Sequence, residues 1–425
     1  MNDVQTSLGN LPASRRVTFD DDAEKVLYLP ETDVADPELS IVIPAMNEEA
    51  VMATFIAWCH EGILKAGVAA EILIVDSSDD RSPLIALENG ARVLKTPKRG
   101  LGQAYRDVIP VIRGKYVIMG DADCTYDFRE IEPFLNRFRE GYEFILGSRF
   151  KGSIEDGAMP ALHRYFGTPL TTAILNTIYG SSFSDIHCGM RGITLDALTR
   201  IRLHSRSWEY ASEMVIKSVR AGLRRVEVPV HFYMDRDGRL SHHRRMGWFS
   251  PWYAGWINLR AMLIYGADFF VIKPGIVLLM AGLAVAAGLS LGPMEIGGIT
   301  FSLNSLFLAM IAAVAGLQCL MFGAVAQILY DPGPGARRWL RRFPYTPTMV
   351  SAGIAFFVGG ALCVKFVAAF HDAGYTVLNS MVGANHLAVF GLMLMILAFT
   401  AFIGTLLMHA VAARTLTNSE IAEAH

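Results

Sequence analysis

Tyr116-Val117-Ile118-Met119-Gly120-Asp121-Ala122-Asp123 is an apolar run that stops at a glycine and two carboxylates. Four apolar residues without polar alternation read as a strand covered on both faces, as in a sheet sandwiched between helices. The pattern recurs along the chain. Leu39–Ile43, Ile72–Val75, Val93–Lys95 and Phe144–Leu146 read as strands, and Glu48–Ala66, Gln103–Arg113 and Phe128–Glu140 have helical spacing. Such alternation specifies a doubly wound α/β sheet, whose ligands sit beyond the C-terminal ends of the strands.

Polar residues follow each of these strands. They are Pro44-Ala45-Met46-Asn47-Glu48-Glu49, Asp76-Ser77-Ser78-Asp79-Asp80, Lys98-Arg99-Gly100-Leu101-Gly102, Gly120-Asp121-Ala122-Asp123 and Gly147-Ser148-Arg149. One such loop is an ordinary turn or cap; five at one sheet edge make a site. Asp121 and Asp123 stand one residue apart at a strand end, so both can reach one hard divalent cation. Mg²⁺ takes oxygen ligands and bridges to phosphates. A solvated acidic pair is the bland alternative for Asp-x-Asp taken alone. Gly100-Leu101-Gly102 has Tyr105 where a dinucleotide fingerprint has its third glycine, and it does not follow the first strand, which excludes that motif. Its two glycines are expected to admit a base or a phosphate close to the backbone.

Composition divides the chain. Of 425 residues 52 % are hydrophobic and 18 % charged, and mean hydropathy is +0.34. Soluble domains carry about a quarter charged residues. Here 12 of the 78 charged residues lie in the last 155. Four apolar stretches, Val271–Leu291, Leu303–Tyr330, Met349–Phe370 and Leu387–Ala410, are each long enough to cross a bilayer as a helix. Pro293–Phe301 and His371–Asn385 carry no Lys or Arg, whereas Asp331–Thr348 holds Arg337, Arg338, Arg341 and Arg342. Basic loops stay inside, so both termini and the first 270 residues are expected in the cytoplasm of an inner or plasma membrane. Lys365, near the outer end of the third stretch, is expected to snorkel.

A net charge of −2 excludes a strongly basic nucleic-acid binder. Cys59, Cys124, Cys188, Cys319 and Cys363 have no metal or disulfide spacing, and His187-Cys188 has no second pair. Residues 1–36 hold eight acidic and three basic residues and no apolar core, which reads as a flexible lead-in rather than a signal peptide. His242-His243-Arg244-Arg245 stands before Trp248, Phe249, Trp252, Tyr253 and Trp256, a pattern expected of a helix at the lipid interface. The expected organisation is a lead-in (1–36), an α/β domain (37–246), an interfacial helix (247–270), four spans (271–415) and a tail (416–425).

The region Leu39–His243 resembles family 2 glycosyltransferases of the GT-A fold, in particular dolichol-phosphate mannose synthases and bacterial polyprenyl-phosphate glycosyltransferases. The motifs that carry the resemblance are Val42-Ile-Pro-Ala-Met-Asn-Glu48, Gly100-Leu-Gly-Gln-Ala-Tyr105, Asp121-Ala-Asp123, Gly147-Ser-Arg149, Ser184-Asp185, Cys188-Gly-Met-Arg191 and Val226-Glu-Val-Pro229. Four C-terminal spans match one branch of that group. The resemblance implies that Pro44, Asn47, Glu48, Asp76, Gly100 and Gly102 hold the donor nucleotide. Asp121 and Asp123 would bind Mg²⁺ or Mn²⁺ at its diphosphate. Arg149, with Arg164 as second candidate, would face a lipid phosphate. Asp185 falls at the family's candidate base, with Arg191 near it. Three departures stand out. The second nucleotide motif reads Asp76-Ser77-Ser78-Asp79. Thr125 occupies the third metal position. The late basic loop is only loosely kept, as Arg236-Asp-Gly238-Arg239-Leu-Ser241.

The expected activity is metal-dependent, inverting transfer of one sugar from a UDP- or GDP-linked donor to polyprenyl phosphate. Transfer to a lipid hydroxyl such as diacylglycerol is the enzymatic alternative. A flippase or scaffold with an inactive nucleotide domain is the non-enzymatic one. A processive polysaccharide synthase is discounted, because Arg338-Trp339 lies beyond the second span. Self-association is left open.

Overall fold

Leu39–Ala45 and Ala70–Asp76 are buried almost throughout because they form adjacent parallel strands in the middle of a sheet. The structure, a computed structural model, describes residues 8, 12–19, 22, 24–234, 256, 259–260, 262–330, 334–372, 374 and 382–415. It forms two compact units that divide between Met262 and Leu263.

The first unit contains, among the described residues, strands β1 (Arg16–Thr18), β2 (Val26–Tyr28), β3 (Leu39–Ala45), β4 (Ala70–Asp76), β5 (Arg92–Lys95), β6 (Tyr116–Met119), β7 (Phe144–Ile154), β8 (Arg191–Thr194) and β9 (Arg225–Phe232). Their order in the sheet is β1-β2-β5-β4-β3-β6-β8-β7-β9. The helices are α1 (Glu49–Ala66), α2 (Ser82–Glu88), α3 (Leu101–Val108), α4 (Glu132–Arg139), α5 (Thr168–Tyr179), α6 (Leu195–Ile201) and α7 (Tyr210–Arg220). β5, β4, β3 and β6 are mutually parallel, as the continuous apolar runs require. β8 is antiparallel to both β6 and β7, so β7 runs in the same direction as the central four. The five polar loops therefore do gather at one edge, in a mixed GT-A-like sheet rather than a wholly parallel one.

Part of the expected lead-in, among the described residues, forms strands. β1 and β2 form a hairpin that extends the sheet by antiparallel pairing of β2 with β5. Asp22 and Glu24 hold Arg99, and Lys25 bridges Asp22 and Asp107. The acidic residues are thus tied to the basic loop before α3, which replaces solvation by ion pairing.

The second unit holds, among the described residues, four helices long and apolar enough to cross a membrane: Asp268–Leu289, Leu303–Tyr330, Tyr345–Asp372 and Val382–Thr415. The first begins with a π-helical turn and continues as α8 (Lys273–Leu289); the others are α9 (Leu303–Tyr330), α11 (Tyr345–Asp372) and α12 (Val382–Thr415). A short helix, α10 (Pro334–Arg342), carries the four arginines between α9 and α11. A hairpin, β10 (Met294–Ile296) and β11 (Ile299–Phe301), joins α8 to α9. Its turn residues Gly297 and Gly298 have φ of 60° and 79°, which only glycine adopts without strain. Lys365 is exposed on α11 and has no ion-pair partner among the described residues. Half of the expected interfacial segment 247–270, the whole tail 416–425 and the His242–Arg245 run lie outside the described residues.

α8 and α9 meet through glycine. A Cβ on Gly282 would stand 2.5 Å from Ala313 N, and one on Gly316 2.6 Å from Gly275 O. Small residues let helices approach where lipid supplies no hydrophobic drive. Gly282→Leu should destabilise the membrane unit by about 1–3 kcal/mol through overpacking. Thermal unfolding of the full protein in detergent reads this, and an unchanged midpoint would contradict the close contact.

Candidate active site

The loops after β3 and β4 are laced together before any ligand is considered. Asn47 sits at φ 59°. Its N–H donates to Ser78 Oγ (2.8 Å), and its Oδ1 accepts from Asp79 N (3.0 Å). The Glu48 amide donates to Ser82 Oγ (2.9 Å), and the Glu48 side chain is buried at the end of α1. Asp76 is fully buried. It accepts from Ser78 N and Oγ and from Lys95 Nζ (2.5 Å). Burial pushes its carboxyl up, against the pull of Lys95 and Ser78. Pro44 lies in β3, opposite Val75 of β4.

Gly100 and Gly102 have a different reason from the one expected. A Cβ on Gly100 would collide with Arg206 O, and one on Gly102 would stand 2.5 Å from Ser205 O. Gly100 also has φ 108°. The glycines let α3 begin against the backbone of residues 205–207, and Gln103 N donates to Arg206 O (3.1 Å). Close approach of a base or phosphate is not needed to explain them.

At the end of β6, Asp123 Oδ1 accepts from Thr125 N (3.0 Å) and Thr125 Oγ1 (2.6 Å). Thr125 therefore acts on the acidic pair through Asp123, by fixing its carboxylate. Cys124 turns the loop at φ 59°. Gly189 has no room for a side chain, because a Cβ there would lie 2.5 Å from Asp121 Oδ2 and 2.9 Å from the Tyr126 ring. The Gly189 amide donates to Tyr126 Oη (2.8 Å). The loop between α5 and β8 thus rests directly on Asp121. Among the described residues no group of three His, Cys, Asp or Glu side chains forms a metal cluster. Two carboxylates at a strand end do fit a hard cation that completes its shell with phosphate oxygens and water.

The other end of that loop contains the strongest charge pairing of the site. Arg149 Nε donates to Asp185 Oδ2 (2.7 Å), Nη2 to Oδ1 (2.8 Å), and the Arg149 amide to Oδ2 (3.1 Å). Asp185 is fully buried and Arg149 is 9 % exposed. Burial pulls the guanidinium pKa down, and Tyr126 and the paired Asp185 carboxylate hold it above its usual value. The sequence reading gave Arg149 to a lipid phosphate and Asp185 to the base position; the structure pairs the two with each other. The planar fork of Arg149 is spent on Asp185, and both oxygens of the expected base are engaged.

Arg191 is also buried, and it donates to three carbonyls: Cys188 O (3.0 Å), Ala211 O (2.6 Å) and Ile186 O (3.5 Å). Its expected catalytic place gives way to a supporting one, since it pins residues 186–188 to the start of α7. Arg164 is half-buried and lies over the Tyr165 ring at 5.6 Å; its amide donates to Pro160 O (3.0 Å), and its guanidinium makes no hydrogen bond or ion pair among the described residues. Arg236 and Ser241 lie outside the described residues.

The sequence reading gave no role to two residues that the structure places at the site. Glu227, in β9, accepts from Ser184 N (2.7 Å), Asp185 N (3.3 Å) and Lys151 Nζ (2.7 Å), and so anchors the turn that presents Asp185. A carboxylate in the middle of the apolar strand Val226-Glu227-Val228 was the available signal. His187 is the second. Burial, with Arg149 beside it, drives its imidazole down to about 4, and Nε2 lies 2.8 Å from Thr171 Oγ1. Cys188 is a packed core residue as expected, its thiol pushed up to about 12 by burial.

The fold and this edge fit a transferase domain carried on the same chain as membrane helices. The chain belongs to glycosyltransferase family 2. The family 2 glycosyl transferase model matches residues 40–202, and the model of the family's C-terminal transmembrane region matches residues 324–412. A low-salt glycan biosynthesis hexosyltransferase of Haloferax volcanii is 36 % identical over 314 residues, 74 % of each chain. A dolichyl-phosphate hexose transferase of the same organism is 29 % identical over 49 % of this chain and 87 % of the relative. A glucosyl-3-phosphoglycerate synthase of Mycobacterium tuberculosis superposes with a TM-score of 0.42 at 20 % identity, over 54 % of this chain and 80 % of that one. The chain is an integral membrane enzyme and groups with the hexosyltransferases.

Removing Arg149 leaves Asp185 buried and unpaired. Arg149→Ala should destabilise the protein by about 3–5 kcal/mol. The double variant Arg149→Ala/Asp185→Ala should lose less than the two single changes together. Thermal unfolding of all three checks this, and additive losses would contradict a direct pair. A second expectation concerns pH. The unfolded chain protonates His187 near the ordinary 6.5, whereas the folded protein waits until about 4. Over that window the unfolded state binds more protons, so stability falls as pH falls. His187→Gln should flatten the stability profile between those values, whereas a profile parallel to the wild type would refute the shift.

Proposed function

We propose that this enzyme transfers one hexose from a nucleoside-diphosphate donor to a polyprenyl phosphate, with inversion, at the cytosolic leaflet. The attacking phosphate oxygen forms a bond to the anomeric carbon on the face opposite the breaking bond. That bond, to the donor's diphosphate, takes its electron pair with the leaving nucleotide. Asp121 and Asp123 would hold Mg²⁺ or Mn²⁺ beside the diphosphate, where positive charge favours the transition state in which leaving-group charge builds.

The observation that carries the reading is the Arg149–Asp185 pair. An alcohol acceptor needs a base, and Asp185 is fully buried with both oxygens engaged by Arg149. A phosphate monoester is already ionised and needs none. Arg149 Nη1 makes no hydrogen bond among the described residues, and it would meet one phosphate oxygen while the pair stays intact. Support also comes from the relative named a dolichyl-phosphate hexose transferase, which this chain matches over most of that protein's length. The cytosolic side rests on the four arginines of α10 and on the flanking connections, Pro293–Phe301 and His371–Asn385, which carry no Lys or Arg.

The purified protein should be incubated with Mg²⁺ or Mn²⁺, a panel of UDP- and GDP-hexoses and undecaprenyl phosphate, with products identified by mass. The expected product is undecaprenyl phosphate plus one hexose, abolished by chelation and by Asp121→Ala or Asp123→Ala. Full turnover by Asp123→Ala, or by chelated enzyme, would contradict the metal assignment.

A further inference from the structure

His187 lies on the stretch that joins the two ends of the site. Asp185 holds Arg149 at one end, and Gly189 rests against the Asp121 carboxylate at the other. On the reading above, the first end meets the acceptor phosphate and the second the donor diphosphate. The sugar being transferred must lie between them, alongside residues 186–188. Ile186 and Cys188 are fully buried, and His187 is the one of the three that keeps partial exposure.

The hydrogen-bond network fixes which nitrogen of His187 carries the proton. Thr171 Oγ1 has two carbonyl oxygens near it, Gly167 O at 2.8 Å and Thr168 O at 3.1 Å. Its single hydroxyl proton must face them, because lone pairs at those distances would repel. The third contact of Oγ1, with His187 Nε2 at 2.8 Å, therefore has Nε2–H as donor and Oγ1 as acceptor. A neutral imidazole with its proton on Nε2 carries its lone pair on Nδ1. Nδ1 makes no hydrogen bond among the described residues. The groups facing this imidazole are Arg149, Asp185, Arg191 and His163. Arg191 is committed to backbone carbonyls and Arg149 pairs with Asp185 through Nε and Nη2, and burial together with their charge keeps the ring neutral.

The geometry points to His187 as a sugar-binding residue: we propose that its Nδ1 accepts a hydrogen bond from one hydroxyl of the transferred hexose and so helps select the sugar. Thr171 is the positioning residue, since it fixes the tautomer from α5. A lone pair held in one direction rewards a hydroxyl and gives nothing to a hydrogen in its place. Sites built around a substrate hydroxyl reject analogues that lack it. This inference rests on the proposed function, because that reading sets the sugar between the two ends.

The test uses the full-length protein in detergent with undecaprenyl phosphate. The donor is whichever UDP- or GDP-hexose the wild type uses fastest, together with its 2-, 3-, 4- and 6-deoxy analogues. The wild type should lose about tenfold or more in kcat/KM on one analogue. His187→Ala should slow the parent donor and bring that one ratio to within about twofold, with the other ratios and the affinity for the nucleoside diphosphate unchanged. Thr171→Val keeps the imidazole and should erode the same ratio, which preserves the test if His187→Ala fails to fold. Unchanged ratios for every analogue in either folded variant overturn the role of His187. A wild type that glycosylates no undecaprenyl phosphate from any donor overturns the proposed function, and this inference with it.

Discussion

The buried pair between Arg149 and Asp185 is the constraint on which the site depends. Taking both charges out of water is costly, and their attraction offsets that cost only with good geometry and satisfied neighbours. Both conditions are met. Two parallel N–H donors meet the two carboxylate oxygens, and Glu227 receives the amides of Ser184 and Asp185. The value of such a pair lies less in net stability than in the arrangement it enforces. It ties the end of β7 to the loop that returns along the sheet edge, and that loop then reaches Asp121 through Gly189. Arg191 supports its middle from beneath. One stretch of chain thereby links the Asp121 carboxylate to the Arg149 guanidinium.

Much of this was legible in the sequence, for a definite reason. β3, β4 and β6 are covered on both faces, so each is a continuous apolar run, and each ends where polar residues begin. What stayed hidden depends on contacts far apart in the chain. β8 begins with Arg191, placed near the candidate base by the sequence, whose three carbonyl acceptors are seen only in the fold. Gly100 and Gly102 are small because residues 205–207 press on them, about a hundred positions later. The N-terminal strands sit among acidic residues whose partners, Arg99 and Asp107's neighbour Lys25, are joined only in the fold. His187 was passed over because metal spacing was sought there, whereas its environment is set by Thr171 and two arginines.

The membrane half was legible for a different reason. A helix in lipid must satisfy its own backbone, so length and apolarity mark it without knowledge of its neighbours. The glycines at the contact of α8 and α9 could not be singled out, because glycine and alanine occur throughout these spans. Only the close approach of Gly282 to Ala313 and of Gly316 to Gly275 separates contact from composition.

The central claim is that the acceptor supplies its own negative charge and that no protein base is required. The most direct measurement sets undecaprenyl phosphate, undecaprenol and diacylglycerol in competition in one detergent reaction, with a single radiolabelled donor. The expected result is label in the lipid phosphate alone, with undecaprenol and diacylglycerol untouched. Equal or faster labelling of either alcohol would contradict it, and would require a base that the Arg149–Asp185 pair does not provide.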